Sequence, residues 1–315
     1  MILITGANGF VGHAFSKHLL STDHNVRVAL RKPINTFDLP CEQVFIGDIN
    51  AKTDWYKALT GIKVIVHCAA RVHVMSDSMK NPLEAYRSTN VEGTLNLASQ
   101  AVKAGVRRFI FLSSIKVNGE STVDGKPFFA DGVTAPIDPY GISKKEAEDG
   151  LLNLGVNTSM EIVIIRPPLI YGVGVKANFL SLMKLVNMGL PLPLGGIHNQ
   201  RSFIALDNLV DLMRICLTHP NAANETFLVS DGKDVSTPQL LSAIAIALHC
   251  HLYLIPLPLT VLRMLGKLTG QLSTLHRLCE NLQVDIQKTK IYLGWKPPIS
   301  LAEGLKKIVQ DWRKE

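Results

Sequence analysis

The chain has 315 residues, of which 47% are hydrophobic and 19% charged, with 23 Gly and 16 Pro. That composition excludes a disordered polymer and fits one large α/β domain or a domain with a smaller lobe. The formal charge of +7 comes from scattered pairs such as Arg31-Lys32, Arg107-Arg108 and Lys306-Lys307, so no nucleic-acid partner is expected, and a basic cleft for an anionic small molecule explains the sign.

In chain order, Met1-Ile2-Leu3-Ile4 meets Gly6 at once, without a basic leader or a long apolar core. It reads as a strand and not as a signal peptide. Further short apolar runs at 26–30, 43–46, 64–67, 109–112 and 161–165 are rich in Val, Ile and Phe. Such runs suit parallel strands buried on both faces. Helix-length stretches at 12–20, 83–104 and 140–154 separate them, and a last strand is expected at 225–230. This β–α alternation predicts a doubly wound parallel sheet with right-handed crossovers.

The second half is less regular. Residues 167–203 hold several glycines and prolines and read as a loop-rich insert. Ser236-Thr237-Pro238-Gln239 is a capping box with proline in the first turn, opening a helix through 248. Residues 256–270 predict a helix with Val261, Leu262, Met264, Leu265 and Leu268 on its apolar side. Arg263 and Lys267 would also suit a membrane-surface helix, but a lid or core helix is the preferred reading. Residues 300–312 form a closing amphipathic helix. No apolar run reaches the ~18 residues of a membrane span, and a cytoplasmic location is expected. Cys41, Cys68, Cys216, Cys250 and Cys279 lack a disulfide framework and read as free thiols. His249-Cys250-His251 cannot converge on one ion from a regular element, so no metal is expected.

Thr5-Gly6-Ala7-Asn8-Gly9-Phe10-Val11-Gly12 follows the first strand and opens a helix. Gly6 permits the turn, Gly9 lets the backbone approach a pyrophosphate, and Gly12 allows close helix–strand packing. Free N–H groups at the helix start then face the phosphates. After the second strand, an acid ~20 residues on would bind the ribose of NAD. Here Val28-Ala29-Leu30-Arg31-Lys32-Pro33 has none, and Arg31 can clamp a 2′-phosphate. We therefore favour NADP, with NAD as the alternative. Asp48, after the third strand, is placed to meet the adenine edge.

Tyr140 and Lys144 stand four residues apart, on one helix face. A free phenol titrates near pH ~10; the Lys144 cation and an oxidised nicotinamide would both favour its phenolate. Tyr140 could then exchange a proton with an alcohol or ketone. The strand 108–112 ends in Ser113 and Ser114, and Ser114 can hydrogen-bond the substrate oxygen beside the phenol. Asn90 supplies an amide on the helix behind the site.

Taken together in this order, the GxxGxxG turn, the Asn90 segment, the serine strand and Tyr140-Gly141-Ile142-Ser143-Lys144 resemble an extended short-chain dehydrogenase/reductase. The nearest group is the nucleotide-sugar epimerase/dehydratase family. The resemblance covers essentially the whole chain. It implies an α/β Rossmann-type doubly wound sheet with a smaller, interwoven substrate lobe. The dinucleotide domain would take 1–166 with roughly 203–231, and the substrate lobe roughly 167–202 with 232–315.

The resemblance makes Ser114, Tyr140 and Lys144 catalytic. It gives cofactor contacts to Gly6, Asn8, Gly9, Phe10, Val11, Gly12, Arg31, Asp48, Ile49, Ala69, Ala70, Asn90, Tyr140, Lys144 and Pro167. Arg166-Pro167-Pro168-Leu169-Ile170-Tyr171-Gly172 resembles the turn into the substrate lobe. Pro168 stands where many members carry Asn, so that contact does not carry over. Arg201 and Arg277 resemble a pair that binds a nucleotide diphosphate, and Asn178 with Phe179 the loop over the base. Ser113, Ser114, Asn178, Arg201 and Arg277 thus form the expected substrate set. A homodimer through the helices carrying Asn90 and Tyr140 is also implied.

Dehydratases of the family carry an Asp-Glu pair after the hydroxyl residue, whereas Ile115-Lys116 follows Ser114 here. We therefore expect no 4,6-dehydration. Arg31 favours exchangeable NADPH and so reduction of a UDP-4-keto-6-deoxyhexose, N-acetylated or not, in surface-polysaccharide synthesis. The alternative is a UDP-hexose 4-epimerase, for glucose or N-acetylglucosamine, with retained NAD. A non-catalytic NADP sensor and a steroid or flavonoid ketoreductase rank lower.

Overall fold

The structure is a computed structural model that describes residues 1–33, 37–72, 81–175, 178–270 and 272–313. Among these residues, nine strands are β1 Ile2–Thr5, β2 Val26–Leu30, β3 Glu42–Phe45, β4 Val64–His67, β5 Arg108–Leu112, β6 Glu161–Arg166, β7 Leu169–Tyr171, β8 Phe203–Ala205 and β9 Glu225–Leu228. Helices α1 to α5 are Phe10–Leu20, Tyr56–Leu59, Pro82–Tyr86, Thr94–Lys103 and Pro139–Val156. Helices α6 to α12 are Asn178–Asn187, Leu206–Cys216, Thr237–Leu248, Leu259–Leu268, Leu272–Cys279, Gln287–Leu293 and Leu301–Trp312.

Seven strands pair in the order β3-β2-β1-β4-β5-β6-β9, every neighbouring pair parallel. The continuous apolar runs are explained by the two-residue period of a strand. Ile4, Val28, Val66, Ile110 and Val163 enter one core with Phe15 of α1 and Leu209 of α7. Leu3, Ala29, Ile65, Phe109 and Ile162 enter the opposite core with Leu97 of α4 and Leu151 of α5. The winding reverses between β1 and β4, which opens a crevice beyond the carboxyl ends of Thr5 and His67. The expected doubly wound sheet is present.

A third core lies in the smaller lobe, where Phe179 and Met183 of α6, Leu241 and Ile244 of α8, and Ile308 of α12 pack together. Ser236 and Gln239 complete the expected capping box, and Ser300 with Glu303 makes another. The lobe is joined to the sheet through Asp231, whose carboxylate accepts from Tyr171 OH at 2.5 Å, Ala205 N at 2.9 Å and Asn208 Nδ2 at 2.7 Å. Burial raises the Asp231 carboxyl above its usual range, and these three bonds oppose that.

Some local readings change. The helix expected over 83–104 is interrupted by a π-helical turn at Arg87–Gly93. The loop-rich insert contains β7 and α6. In α9 only part of the expected apolar side turns inward, with Leu262 buried while Met264 is 59% and Leu268 77% exposed. Among the described residues no helix is long and apolar enough to cross a membrane. All five cysteines are free.

Candidate active site

The glycine turn lies at the crevice. Gly6 has φ +69, and a Cβ there would stand 2.7 Å from Ala69 N, so this turn and the strand end at Ala69 fit only without a side chain. A Cβ on Gly12 would stand 2.2 Å from Gly6 O, which is why α1 can start hard against β1. Gly9 caps α1 without a side-chain hydrogen bond, and the first turn holds no acid. Asn8 and Gly9 are exposed, Phe10 is half-buried and Val11 is buried.

Arg31 and Asp48 follow β2 and β3, and their side chains pair, Nε to Oδ1, at 3.0 Å. Ile49 reaches the π-helical turn, because a Cβ on Gly93 would meet its Cγ2 at 2.6 Å. Half-buried Ala69 and Ala70 continue β4 along the crevice, and Ala69 N donates to Thr5 Oγ1 at 3.2 Å.

Asn90 sits on the π-helical turn, a feature that often marks functional sites. Its Oδ1 accepts from Arg71 N at 2.7 Å, and its Nδ2 donates to Arg71 O and to Ser143 Oγ, both at 3.0 Å. Ser143 Oγ in turn donates to Tyr140 O at 2.8 Å. Asn90 therefore ties Arg71, just after β4, to the first turn of α5.

Asp138 caps α5, its Oδ1 accepting from Gly141 N at 2.6 Å, and Pro139 fills the first helical position. This start brings the Tyr140 hydroxyl beside Ser114, which favours its phenolate. Ser114 opens a 3₁₀ turn at Ile115–Val117, with Oγ accepting from Lys116 N at 3.3 Å. The turn is held to β6 by Ser113 N donating to Ile165 O at 2.8 Å and Ile115 N to Pro167 O at 3.0 Å. The Ser113 hydroxyl is buried and has no hydrogen-bond partner among the described residues.

Lys144, 1% exposed, donates from Nζ to Leu112 O at 2.8 Å and lies 4.3 Å from the centre of the Phe111 ring. Burial lowers its pKa from 10.5 to about 8, opposed by Cys68 and Glu148. Burial raises the Tyr140 phenol well above its ordinary value, Asp138 adds to this, and the Ser114 hydrogen bond opposes it. The expectation that Lys144 favours the phenolate is therefore not met by the chain alone. The ammonium is engaged by the Leu112 carbonyl and the Phe111 ring.

His67 lies beside this group, its Nδ1 2.7 Å from Thr5 Oγ1 and its Nε2 3.0 Å from Thr94 Oγ1. Burial first, and Lys144 second, push its pKa down to about 3, so it is a neutral bridge between β1, β4 and α4.

A model of the NAD dependent epimerase/dehydratase family matches residues 2–230. The UDP-glucose 4-epimerase of Vibrio cholerae is 51% identical over 98% of this chain and 94% of its own length. The chain belongs to the NAD-dependent epimerase/dehydratase family.

It is thus an enzyme of the extended short-chain dehydrogenase/reductase type. Two solved structures share the fold. The Thermotoga maritima UDP-glucose 4-epimerase with UDP-glucose has a TM-score of 0.79 at 22% identity, covering 99% of this chain and 98% of that one. The Bacillus cereus UDP-glucuronic acid 4-epimerase in complex with NAD has a TM-score of 0.78 at 21% identity, with the same coverage.

Arg201 is half-buried and donates from Nη1 to Glu280 O at 2.9 Å, so it rests on the chain just after α10. Burial lowers its pKa below the ordinary value. Arg277 is exposed on α10. The Asn178 side chain lies outside the described residues. Phe179 is 2% exposed and stacks on Tyr171 at 5.4 Å, so its ring belongs to the lobe core and does not cover a base as expected. Sequence reasoning gave no part to Asp138, Ser143 or His67. The Asp-Pro step before Tyr140 was a legible helix start.

Proposed function

We propose that this enzyme is a UDP-hexose 4-epimerase that keeps NAD bound through turnover. The observation that carries the reading is the near full-length likeness to the Vibrio cholerae UDP-glucose 4-epimerase. Residues 1–166 with 203–231 would hold the dinucleotide, and 167–202 with 232–315 the sugar nucleotide.

The crevice fits a dinucleotide. The cradle at Gly6 and Gly12 leaves no room for a Cβ, and the uncapped start of α1 offers Phe10, Val11 and Gly12 N–H groups to a pyrophosphate. Asn8 and Gly9 would line the same turn, Ile49, Ala69, Ala70 and Pro167 the walls, and Asp48 the adenine edge. Arg31 supports NAD over NADP in this setting, because its guanidinium already meets Asp48. A 2′-phosphate would bring further negative charge against that carboxylate.

Bound NAD supplies a hydride acceptor and donor for the sugar C4, and its oxidised ring adds positive charge near Tyr140. Tyr140 takes the proton of the C4 hydroxyl and returns it to the same oxygen after the keto-sugar has turned its other face to the dinucleotide. Ser114 holds the sugar oxygen beside the phenol and opposes the rise in its pKa. Lys144 anchors the end of β5 through Leu112 O and would meet the ribose. The unpartnered Ser113 hydroxyl is a ready contact for the hexose. Arg201 and Arg277 would bind the diphosphate, and Asn178 would approach the base.

Purified protein given UDP-glucose, without added cofactor, should form UDP-galactose, and NAD should be released on denaturation. A reductase of UDP-4-keto-6-deoxyhexoses is the second reading, in which the exposed Arg31 would leave Asp48 for a 2′-phosphate. It requires stoichiometric NADPH consumption and no interconversion.

A further inference from the structure

Lys116 stands in the turn after Ser114, and none of the roles above uses its side chain. The ammonium hydrogen-bonds Asp138 Oδ2 and lies 3.1 Å from Glu120 Oε1. Its backbone N–H donates to Ser114 Oγ at 3.3 Å. Its carbonyl lies 2.9 Å from where a Cβ on Gly141 would stand, so the turn and the start of α5 are in tight contact. Asp138 also bonds Gly141 N and precedes Tyr140 by two residues. A single side chain thus spans from the serine turn to the helix start that carries the phenol.

The groups around Tyr140 can be named element by element. Asp138 faces it from the α5 cap and Ser114 from the turn. Tyr86 of α3 lies 6.2 Å away, ring to ring, with the Arg71 guanidinium 5.8 Å above the Tyr86 ring. Lys144 points to Leu112 O. On the neighbouring π-helical turn, Arg87 pairs with Glu146 of α5. Asp138 is thus the formal charge that works against the phenolate. Lys116 supplies its counter-charge. Burial opposes the Lys116 cation, but the bonds to Asp138 and Glu120 outweigh it and raise its pKa.

We propose that Lys116 is a positioning residue for the Ser114–Tyr140 pair, tying the serine turn to the α5 cap and cancelling the Asp138 charge that faces the phenol. The proposal rests on the reading of Tyr140 as the group that moves the proton. Without Lys116 the Asp138 charge is unscreened, so the phenolate forms at higher pH.

The test compares Lys116→Gln, Lys116→Arg, Asp138→Asn and the Lys116→Gln/Asp138→Asn double variant in the NAD-loaded enzyme. Two readouts are followed: the pH profile of kcat/KM for UDP-hexose interconversion, and the ultraviolet titration of Tyr140, isolated by subtracting the matching Tyr140→Phe protein. In Lys116→Gln the rising limb and the optical titration should both move up by about one pH unit. Lys116→Arg should leave both in place. Asp138→Asn keeps an oxygen for the cap and should move both down, and the double variant should lose the upward shift. A uniform loss of rate with neither readout displaced would overturn the proposal, as would a double variant that keeps the shift. Failure of the underlying reading looks different. Tyr140→Phe would keep turning over, while the optical titration would still respond to Lys116.

Discussion

Arg31 Nε lies 3.0 Å from Asp48 Oδ1 across the ends of β2 and β3, with the two side chains 75% and 76% exposed. The pair sits where a dinucleotide would place its adenosine, and it changes what Arg31 alone implied. Asp48→Asn should free the guanidinium and raise the affinity for NADP relative to NAD by about tenfold, on the order of one charged hydrogen bond. Equilibrium titration with both coenzymes checks this. An unchanged ratio would mean that Asp48 does not restrain Arg31.

Tyr140→Phe removes the hydroxyl beside Ser114 and leaves the ring packed near Tyr86. Turnover should fall by at least about 10²-fold, the scale of general acid–base catalysis. NAD binding should stay near normal, because the glycine cradle is untouched. Parallel measurement of kcat and of the NAD dissociation constant separates the two effects.

Lys144 makes a stability prediction whose sign can be worked out. Unfolded, it titrates near 10.5; folded, near 8. Between these values the unfolded chain binds more protons, so stability rises with pH across that window. At pH 7 the buried cation carries the full penalty, on the order of 3 kcal/mol from the shift. Lys144→Met should therefore stabilise the coenzyme-free protein at pH 7, with the gain shrinking toward pH 10. Denaturant melts at the two pH values check it; a gain independent of pH contradicts the assignment.

Arg166 and Glu148 form a buried pair, Nη2 to Oε2 at 2.6 Å, with exposures of 6% and 1%. Arg166 also donates to Asn118 Oδ1 at 3.1 Å and Ala130 O at 3.3 Å. Arg166→Met leaves a buried carboxylate unpaired and should cost about 3–5 kcal/mol. Glu148→Gln should also drop the Lys144 pKa further, since Glu148 favours that cation. Chemical denaturation gives the first effect, and the pH dependence of stability the second.

Gly12→Ala places a methyl 2.2 Å from Gly6 O. The turn or α1 must shift, so NAD should be absent from the purified variant while the far-ultraviolet spectrum stays α/β. A variant that copurifies with NAD would show that the cradle tolerates a side chain.

Much of this was written locally. Strands such as β1 and β5 are runs of Ile, Leu and Phe with two buried faces, and Tyr140 and Lys144 share a helix face by spacing alone. The helix α7 is equally legible, since Leu206, Leu209, Val210, Met213 and Cys216 recur at helical spacing. Other features left no local signal. A π-helical turn at Asn90 changes backbone bonding within a continuous helical pattern. The Lys116–Asp138 pair joins residues 22 apart, and the bond from Arg201 to Glu280 O joins residues 79 apart. Phe179 misled because an aromatic at a helix start can face a base or a core, and here it packs on Tyr171.

The central claim is epimerisation by retained NAD, and the fate of the hydrogen at C4 tests it most directly. UDP-glucose carrying deuterium at C4 is incubated with the enzyme, without added cofactor and with excess unlabelled NADPH in a parallel sample. The account predicts UDP-galactose that keeps its deuterium at C4 in both samples, with no net change in nicotinamide absorbance. Product formed only with NADPH, with the label lost from C4, would contradict it.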